Sequence, residues 1–380
     1  MTTTTTLNPE YNRETDEFYL NMGPQHPSTH GVLRLELKMD GEVINEATPH
    51  IGYLHRSMEK MMENRTYMQI IPLTDRLDYI ASMSNNLAYV MAVEKLMGVV
   101  VPERAQYIRI ILVELQRIAS HLLGVGTFAQ DLGAFGTPLL YCFREREKII
   151  DIYEEVCGNR LTYSYFRFGG VARDVPDTFS DMVQKYITYI LPKINDLERL
   201  LTNNVIFLNR TKGVGVISPE QALTYAISGP NIRGSGIKWD IRKAEPYSLY
   251  ERFDFDVPIE KNGDCWDRYK VRIEEMRQSV RIVEQAIKQL PGGEINALKP
   301  MAMRYPKPEK GSVYFRTEAP RGDLGFYIVS DGTDKPYRVK VRAPSFSNLA
   351  ILPELMKGLK IADVVAICGS LDIVMGEIDR

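Results

Sequence analysis

The sequence predicts a mainly helical α+β protein, with a helical bundle as its body and small β-sheets at both ends. Three observations carry this reading. Trp266, Tyr269, Ile273, Met276, Val280, Val283, Ile287 and Leu290 recur by threes and fours, the period of one helix face. Helical periods dominate from about residue 55 onward. Strand-like runs bounded by turn signals lie only towards the two ends.

Phe18–Met22 and Gly31–Met39 read as strands, with Asp40-Gly41 as the hairpin turn into Glu42–Ala47. Asp75 can cap a helix, with Asp78 three residues later and Leu77, Ile80, Ser84, Leu87 and Met91 along one face. Pro102 is placed to start the next helix; its apolar face is Tyr107, Ile111, Leu115, Ile118 and Leu122, and Gly124 is read as its end. One helix follows over about Leu139–Val156 and two more over Asp177–Asn209. Pro291-Gly292-Gly293 stops the helix that begins near Trp266. Strands return near Ser312–Arg316, Phe326–Ser330 and Tyr337–Arg342, and helices near Asn348–Lys357 and Ile361–Cys368 close the chain. The expected organisation is a disordered tail at 1–17, an N-terminal β region at 18–54, a helical core at 55–300 and a C-terminal α/β region at 301–380.

A net charge of −2 over 380 residues gives no electrostatic argument for nucleic acid. Cys142, Cys157, Cys265 and Cys368 form no CxxC pair, so the usual zinc and iron–sulfur spacings are absent and no metal site is expected. The threonine-rich start has no basic region and no apolar stretch, so no signal or transit peptide is expected. No uncharged apolar run approaches the roughly 20 residues that a bilayer span needs. Any membrane role is expected to come through a partner.

Four of the five histidines fall between His26 and His55, two of them in Gly23-Pro24-Gln25-His26-Pro27-Ser28-Thr29-His30-Gly31. Two readings stand: a rigid proton-exchanging site, or loop histidines bonded to backbone, the second favoured on these residues alone. The prolines and Gly31 argue against a helical metal pair. Glycines 124, 126, 133 and 136 surround Asp131, yet they follow a helix and match no phosphate-loop pattern. Glu114, Arg117 and His121 share a helix face, as an intrahelical polar stripe rather than a catalytic triad. Tyr79, if Asp75 caps its helix, lies in the first turn, where the helix dipole favours a donor facing developing negative charge; plain packing is the alternative, and the one these residues alone favour.

These strings together resemble one family. Gly23 to Arg34, Pro49-His50-Ile51-Gly52-Tyr53-Leu54-His55-Arg56, Asp75-Arg76-Leu77-Asp78-Tyr79 and Asp131-Leu132-Gly133-Ala134 are similar to motifs of the D-subunit (49-kilodalton) family of respiratory complex I. Arg321-Gly322-Asp323-Leu324-Gly325, Arg338 to Phe346 and the segment Val374-Met375-Gly376-Glu377-Ile378-Asp379-Arg380 follow in the family's order. The resemblance implies a fold like the large subunit of nickel–iron hydrogenases, with the metal site lost: Val374 and Glu377 stand where thiolates would be. It implies a quinone headgroup, ubiquinone or menaquinone, in the vacated cavity, with Tyr79 and His30 as donors and Asp131 beside the histidine. His26, Val374 and Met375 would line the site, and Arg76 and Arg56 would lie near a 4Fe-4S cluster of the partner B subunit.

The implied assembly is a proton-translocating NADH:quinone oxidoreductase. This chain would be peripheral on the cytoplasmic side of a cell inner membrane, against the B, C, H and I subunits, and would bind no cofactor of its own. A complex fed by ferredoxin, or a non-catalytic hydrogenase-like scaffold, are the alternatives. Thr162 stands where many relatives carry a histidine, and the segment 300–309 is shorter than in many relatives and is expected to lack a helix.

Overall fold

The structure, a computed structural model, describes residues 17–26, 31–134 and 136–380. The expected tail lies almost wholly outside these residues, and so does His30. β1 (Glu17–Met22), β2 (Arg34–Asp40) and β3 (Val43–His50) form an antiparallel meander. Leu35, Leu37 and Met39 alternate inward from β2 while the residues between them face outward, as a half-buried strand requires.

Helices then dominate: α1 (Met58–Glu63), α2 (Tyr67–Thr74), α3 (Ser82–Met97), α4 (Glu103–Asp131) and α5 (Thr137–Cys157). A short hairpin, β4 (Phe166–Arg167) and β5 (Gly170–Val171), precedes α6 (Phe179–Leu201) and α7 (Val205–Thr211). Three short helices follow, α8 (Pro219–Thr224), α9 (Pro230–Gly234) and α10 (Ile241–Ala244), then α11 (Cys265–Gln289) and α12 (Pro300–Arg304). β6 (Gly311–Ala319), β7 (Gly322–Ser330) and β8 (Pro336–Arg342) make the second meander. α13 (Pro344–Leu349), α14 (Leu352–Met356), α15 (Ile361–Leu371) and α16 (Met375–Ile378) complete the order. α4 packs between α5 and α11, α6 touches both of these, and α15 lies across α4 and α11. α3 covers the β6–β7 face, α1 lies on β8, and α14 lies on β3.

Three expectations need correction. Gly124 does not end α4, which continues through Gly126 to Asp131. A Cβ on Gly124 would lie 3.0 Å from Asp372 Oδ1, and one on Gly126 would lie 3.1 Å from Cys142 Cβ. Both glycines serve close approach, against a helix-interior cost of about 1 kcal/mol each. The helix expected over 348–357 is two, α13 and α14, because Pro353 can sit in a first turn but cannot continue a helix past Leu349. The segment 300–309 does carry one turn of helix, α12, opened by Pro300 at its first position.

The bundle's interior is ionic as well as apolar. Near one end of α4, Arg109 pairs with Glu94 at 2.6 Å and donates to the Gly170 carbonyl. Midway, Glu114 accepts from Tyr250 Oη at 2.6 Å, Ser279 Oγ at 2.7 Å and Arg242 Nη1 at 3.1 Å, with Arg117 Nε at 3.2 Å. A turn further on, His121 Nε2 meets Glu275 Oε2 at 2.8 Å, and Arg233 Nε donates to the same carboxylate at 2.7 Å. The Glu114–Arg117–His121 stripe is thus a paired polar layer, although Arg117 Nη1 and His121 Nδ1 meet no partner among the described residues. Burial opposes ionisation of Glu114, but Arg117, Arg242 and the two hydroxyls outweigh it and hold its carboxyl down at about 2.

Glu114→Gln should destabilise the fold by about 3–5 kcal/mol, because it leaves Arg242 and Arg117 buried without their shared counter-charge. Since the folded-state value is depressed, the native contribution is full above the ordinary glutamate range and is lost as pH falls towards 2. Thermal unfolding of the variant and the parent between neutral and acid pH measures both effects; an unchanged midpoint at neutral pH would reject the argument.

Candidate functional site

The Asp75–Tyr79 segment lies between α2 and α3 and is not the start of a helix. The capping residue is Thr66, whose amide donates to Gln69 Oε1 at 3.2 Å, so the helix opens there and Asp75 stands at its C-terminal end. α3 begins only at Ser82, after Asp78 Oδ1 has accepted the Ile80 and Ala81 amides at 3.1 and 3.2 Å. Tyr79 is therefore in a turn ahead of α3, and the helix-end argument for its hydroxyl does not hold. Ser82 Oγ donates back to the Asp75 carbonyl at 2.9 Å, closing the turn on itself.

The turn is fixed by a residue far along the chain, Arg321, which sits between β6 and β7 and is 2% exposed. Its Nη1 donates to Asp78 Oδ2 at 2.6 Å and to Ser120 Oγ of α4 at 3.1 Å. Its Nε donates to the Asp372 carbonyl at 2.9 Å and its Nη2 to Asp372 Oδ1 at 3.2 Å. Burial disfavours this charge, yet Asp372 and Asp78 outweigh that and hold the guanidinium firmly protonated. Sequence reasoning missed Arg321, Asp372 and the role of Asp78; all three lie in or beside the family-like motifs, but nothing local marks them as buried partners.

A second set of contacts closes the other side. Arg56 Nη2 donates to the Arg76 carbonyl at 2.7 Å and to the Gly376 carbonyl at 3.0 Å. Gly376 rests on the same turn, where a Cβ would come 2.5 Å from the Leu77 carbonyl oxygen. Asp379 accepts the Gly52 and Leu54 amides at 2.8 and 2.7 Å, and its carbonyl meets His55 Nδ1 at 2.7 Å. The segments 52–56, 76–79 and 374–379 are thus tied into one small assembly.

Around it, Tyr79 is half-buried; burial raises its phenol above the usual range, with Arg321 and Arg56 pulling the other way. Its hydroxyl is a neutral donor at physiological pH. Val374 and Met375 are buried, and Met375 Cγ is 3.7 Å from where a Cβ of Gly31 would be. This brings the residue after His30 to the same assembly, while His30 itself lies outside the described residues. Asp131 ends α4 against α15, its Oδ2 3.6 Å from the Cβ position of Gly369. His26 is exposed beyond β1, and Arg76 is exposed with its Nη1 donating to the Pro72 carbonyl at 2.6 Å.

Thr162 is in a left-handed conformation (φ 53°), as is Ser164 (φ 44°), whose amide faces Asp75 Oδ1 at 3.4 Å. Burial pushes the Asp75 carboxyl up to about 7. Among the described residues no group of three or more His, Cys, Asp or Glu side chains could hold a metal ion, and no helix is long and apolar enough to cross a membrane. Two surface clefts of about 300 and 550 Å³, lined respectively by Lys238, Lys243 and Phe255 and by Lys60, Glu63 and Arg338, include none of the residues that surround Tyr79.

Comparison with known proteins finds two matches to the family model for the respiratory-chain NADH dehydrogenase 49 Kd subunit, over residues 131–309 and 299–380. The chain is 58% identical over 367 residues to the NADH-quinone oxidoreductase D subunit of Dehalococcoides mccartyi, covering 97% of this chain and 99% of the relative. It is 54% identical to the D subunit of Geobacillus kaustophilus and 52% identical to that of Bacillus cereus, each over 366 residues, 96% of this chain and 99% of the relative.

Gly376→Ala should loosen the Tyr79 turn, since the new methyl group must displace either the Leu77 carbonyl or its own helix. The expected cost is about 1–3 kcal/mol, with faster proteolytic cleavage around 75–81. Gly292→Ala, where nothing lies within 4 Å of the added Cβ, is the control and should be nearly silent. Equal behaviour of the two variants would show that the Gly376 contact does not hold the turn.

Proposed function

Because the chain belongs to the family of the respiratory-chain NADH dehydrogenase 49-kilodalton subunit, we propose that it forms the quinone-reducing site of a proton-translocating NADH:quinone oxidoreductase. The observation that carries the reading is the fixing of Tyr79. A half-buried phenol follows Asp78, which Arg321 holds, and feels the charges of Arg321 and Arg56, on a turn against which Gly376 rests while the neighbouring Met375 meets Gly31. A quinone headgroup needs a donor at each carbonyl, because its reduction to quinol takes up two protons as well as two electrons. Tyr79 donates to one carbonyl. His30 donates to the other, with Asp131 keeping its imidazole protonated. Val374, Met375 and His26 line the site.

Electrons come from a 4Fe-4S cluster of the neighbouring B subunit, towards which Arg76 and Arg56 face. The B and C subunits lie on that side, the H subunit joins the chain to the cytoplasmic face of the inner membrane, and the I subunit is a further partner. Arg56 suits a place beside a charge-accumulating site, because its Nη2 is bonded to two carbonyl oxygens rather than to a carboxylate. Thr162 stands where the resemblance puts a histidine in many relatives, and so removes a titratable group there. Its left-handed backbone is one that histidine adopts more readily than threonine.

Tyr79→Phe removes one hydroxyl with almost no change of volume. Quinone reductase activity of the assembled complex should fall about 10²–10³-fold, on the order of 3–4 kcal/mol, while reduction of an artificial acceptor that bypasses the site persists. His30→Ala should lower turnover too, with some structural loss. Normal quinone turnover in Tyr79→Phe would reject the assignment. Separately, the midpoint potential of the neighbouring cluster should vary little with pH in the native complex and more steeply in Thr162→His. A redox titration at several pH values that gave equal slopes would show that residue 162 does not tune the cluster.

A further inference from the structure

α13 is only six residues long, yet both sets of contacts that hold the Tyr79 turn lead back to it. Two of its side chains carry them. Ser345 and Asn348 are three residues apart, on one face of the helix, and both are fully buried.

The first set runs through α16. Ala343, ahead of α13, has no side chain that can cap it, and Pro344 has no amide hydrogen. The Ser345 amide is therefore a first-turn donor that needs an acceptor from elsewhere in the chain. Glu377 Oε1 accepts it at 2.9 Å. In the opposite direction, the Val374 amide donates to Ser345 Oγ at 3.2 Å. These two bonds grip the chain on either side of Gly376. That glycine has its Cβ position 2.5 Å from the Leu77 carbonyl oxygen, and its own carbonyl accepts from Arg56 Nη2 at 3.0 Å.

The second set runs through Arg321. Asn348 Nδ2 donates to the Arg321 carbonyl at 3.1 Å, and Asn348 Oδ1 accepts the Ser228 amide at 3.1 Å. Ser228 Oγ accepts the Asp323 amide at 3.2 Å. A Cβ on Gly229 would lie 2.5 Å from the Arg321 carbonyl oxygen, so the peptide is enclosed from that side too. Asn348 thus holds the backbone of the residue whose guanidinium reaches Asp78 at 2.6 Å. From α13 to residues 77 and 78, every link is a hydrogen bond, an ion pair or a close approach of atoms.

We propose that Ser345 and Asn348 are positioning residues for quinone reduction, which set from one buried helix face the two clamps on the Tyr79 turn. The proposal rests on the quinone-site reading. Both residues act through others, Ser345 through Gly376 and Asn348 through Arg321. A donor serves developing charge only within a narrow range of distance and angle, so an error of about 1 Å passed on to Tyr79 is costly.

The test is a double-mutant cycle in the assembled complex. Ser345→Ala removes the acceptor of the Val374 amide and leaves the backbone bond to Glu377. Asn348→Ala removes both bonds of its side-chain amide. Each should lower quinone turnover about 10-fold, while reduction of an artificial acceptor that bypasses the site persists. In the Tyr79→Phe background, where no hydroxyl is left to aim, neither should lower quinone turnover further. The same loss in both backgrounds marks a merely structural role and overturns the proposal. Full turnover in both variants, alongside a crippled Tyr79→Phe, overturns it as well and leaves the quinone site standing. Native turnover in Tyr79→Phe overturns the site reading and the proposal with it. If Asn348→Ala does not assemble, Ser345→Ala decides alone. If neither assembles, hydrogen exchange in the native complex decides: slow exchange of the Ser345 and Val374 amides is the expected result, and rapid exchange of either overturns the proposal.

Discussion

Arg321 is the contact on which the site depends. Its guanidinium is buried and is shared among the Tyr79 turn, α4 and the loop that follows α15. A guanidinium taken out of water costs several kcal/mol unless its donors are met in good geometry. Its three neighbours must therefore adopt one arrangement together, and Tyr79, adjacent to Asp78, takes its place from that arrangement. The Arg56 bonds to the Arg76 and Gly376 carbonyls close the same turn from the opposite side, so its backbone is held at two points.

Stability alone does not ask for so polar an interior. Well-packed apolar groups of the same volume often serve as well as buried ion pairs, whereas an ion pair that loses one member is strongly destabilising. The layers at Glu94–Arg109, Glu114–Arg242 and Glu275–Arg233 accordingly fix position: they join α4 to α3, α4 to α10 and α11 to α9, each in one register. Leu77, Ile111, Leu115 and Ile118, all fully buried, supply the apolar burial that offsets chain entropy.

The sequence made the architecture legible wherever a period ran long enough. α11, α5 and the two meanders lie close to where their patterns put them, because one apolar face or one alternation decided each. It failed where tertiary contact overrode a local signal. Asp75 has the composition of a cap but closes a separate helix, α2, opened by Thr66 with Gln69, so the helix carrying Ser84, Leu87 and Met91 starts downstream at Ser82. Gly124 reads as a stop because only the neighbouring Asp372, far away in the chain, reveals why a glycine is needed mid-helix. Of the candidate site, Tyr79, Arg56, Val374 and Met375 were singled out through motif resemblance, and the structure ties the segments that carry them together. Arg321 and Asp372 were not, since the partner of a buried charge cannot be read from its own flanking residues.

α4 has a mechanical consequence. At 29 residues it extends about 43 Å. It is pinned at successive heights: by Glu94 at Arg109, by Arg242 at Glu114, by Glu275 at His121, by Arg321 at Ser120, and by the close fit of Asp372 on Gly124. Sliding the rod by a single residue, about 1.5 Å, would put every one of these contacts out of register at once. No one contact can give way alone to accommodate it. α4 is thus a stationary axis of the subunit, and any displacement that accompanies turnover is measured against it, in the loops that meet its sides.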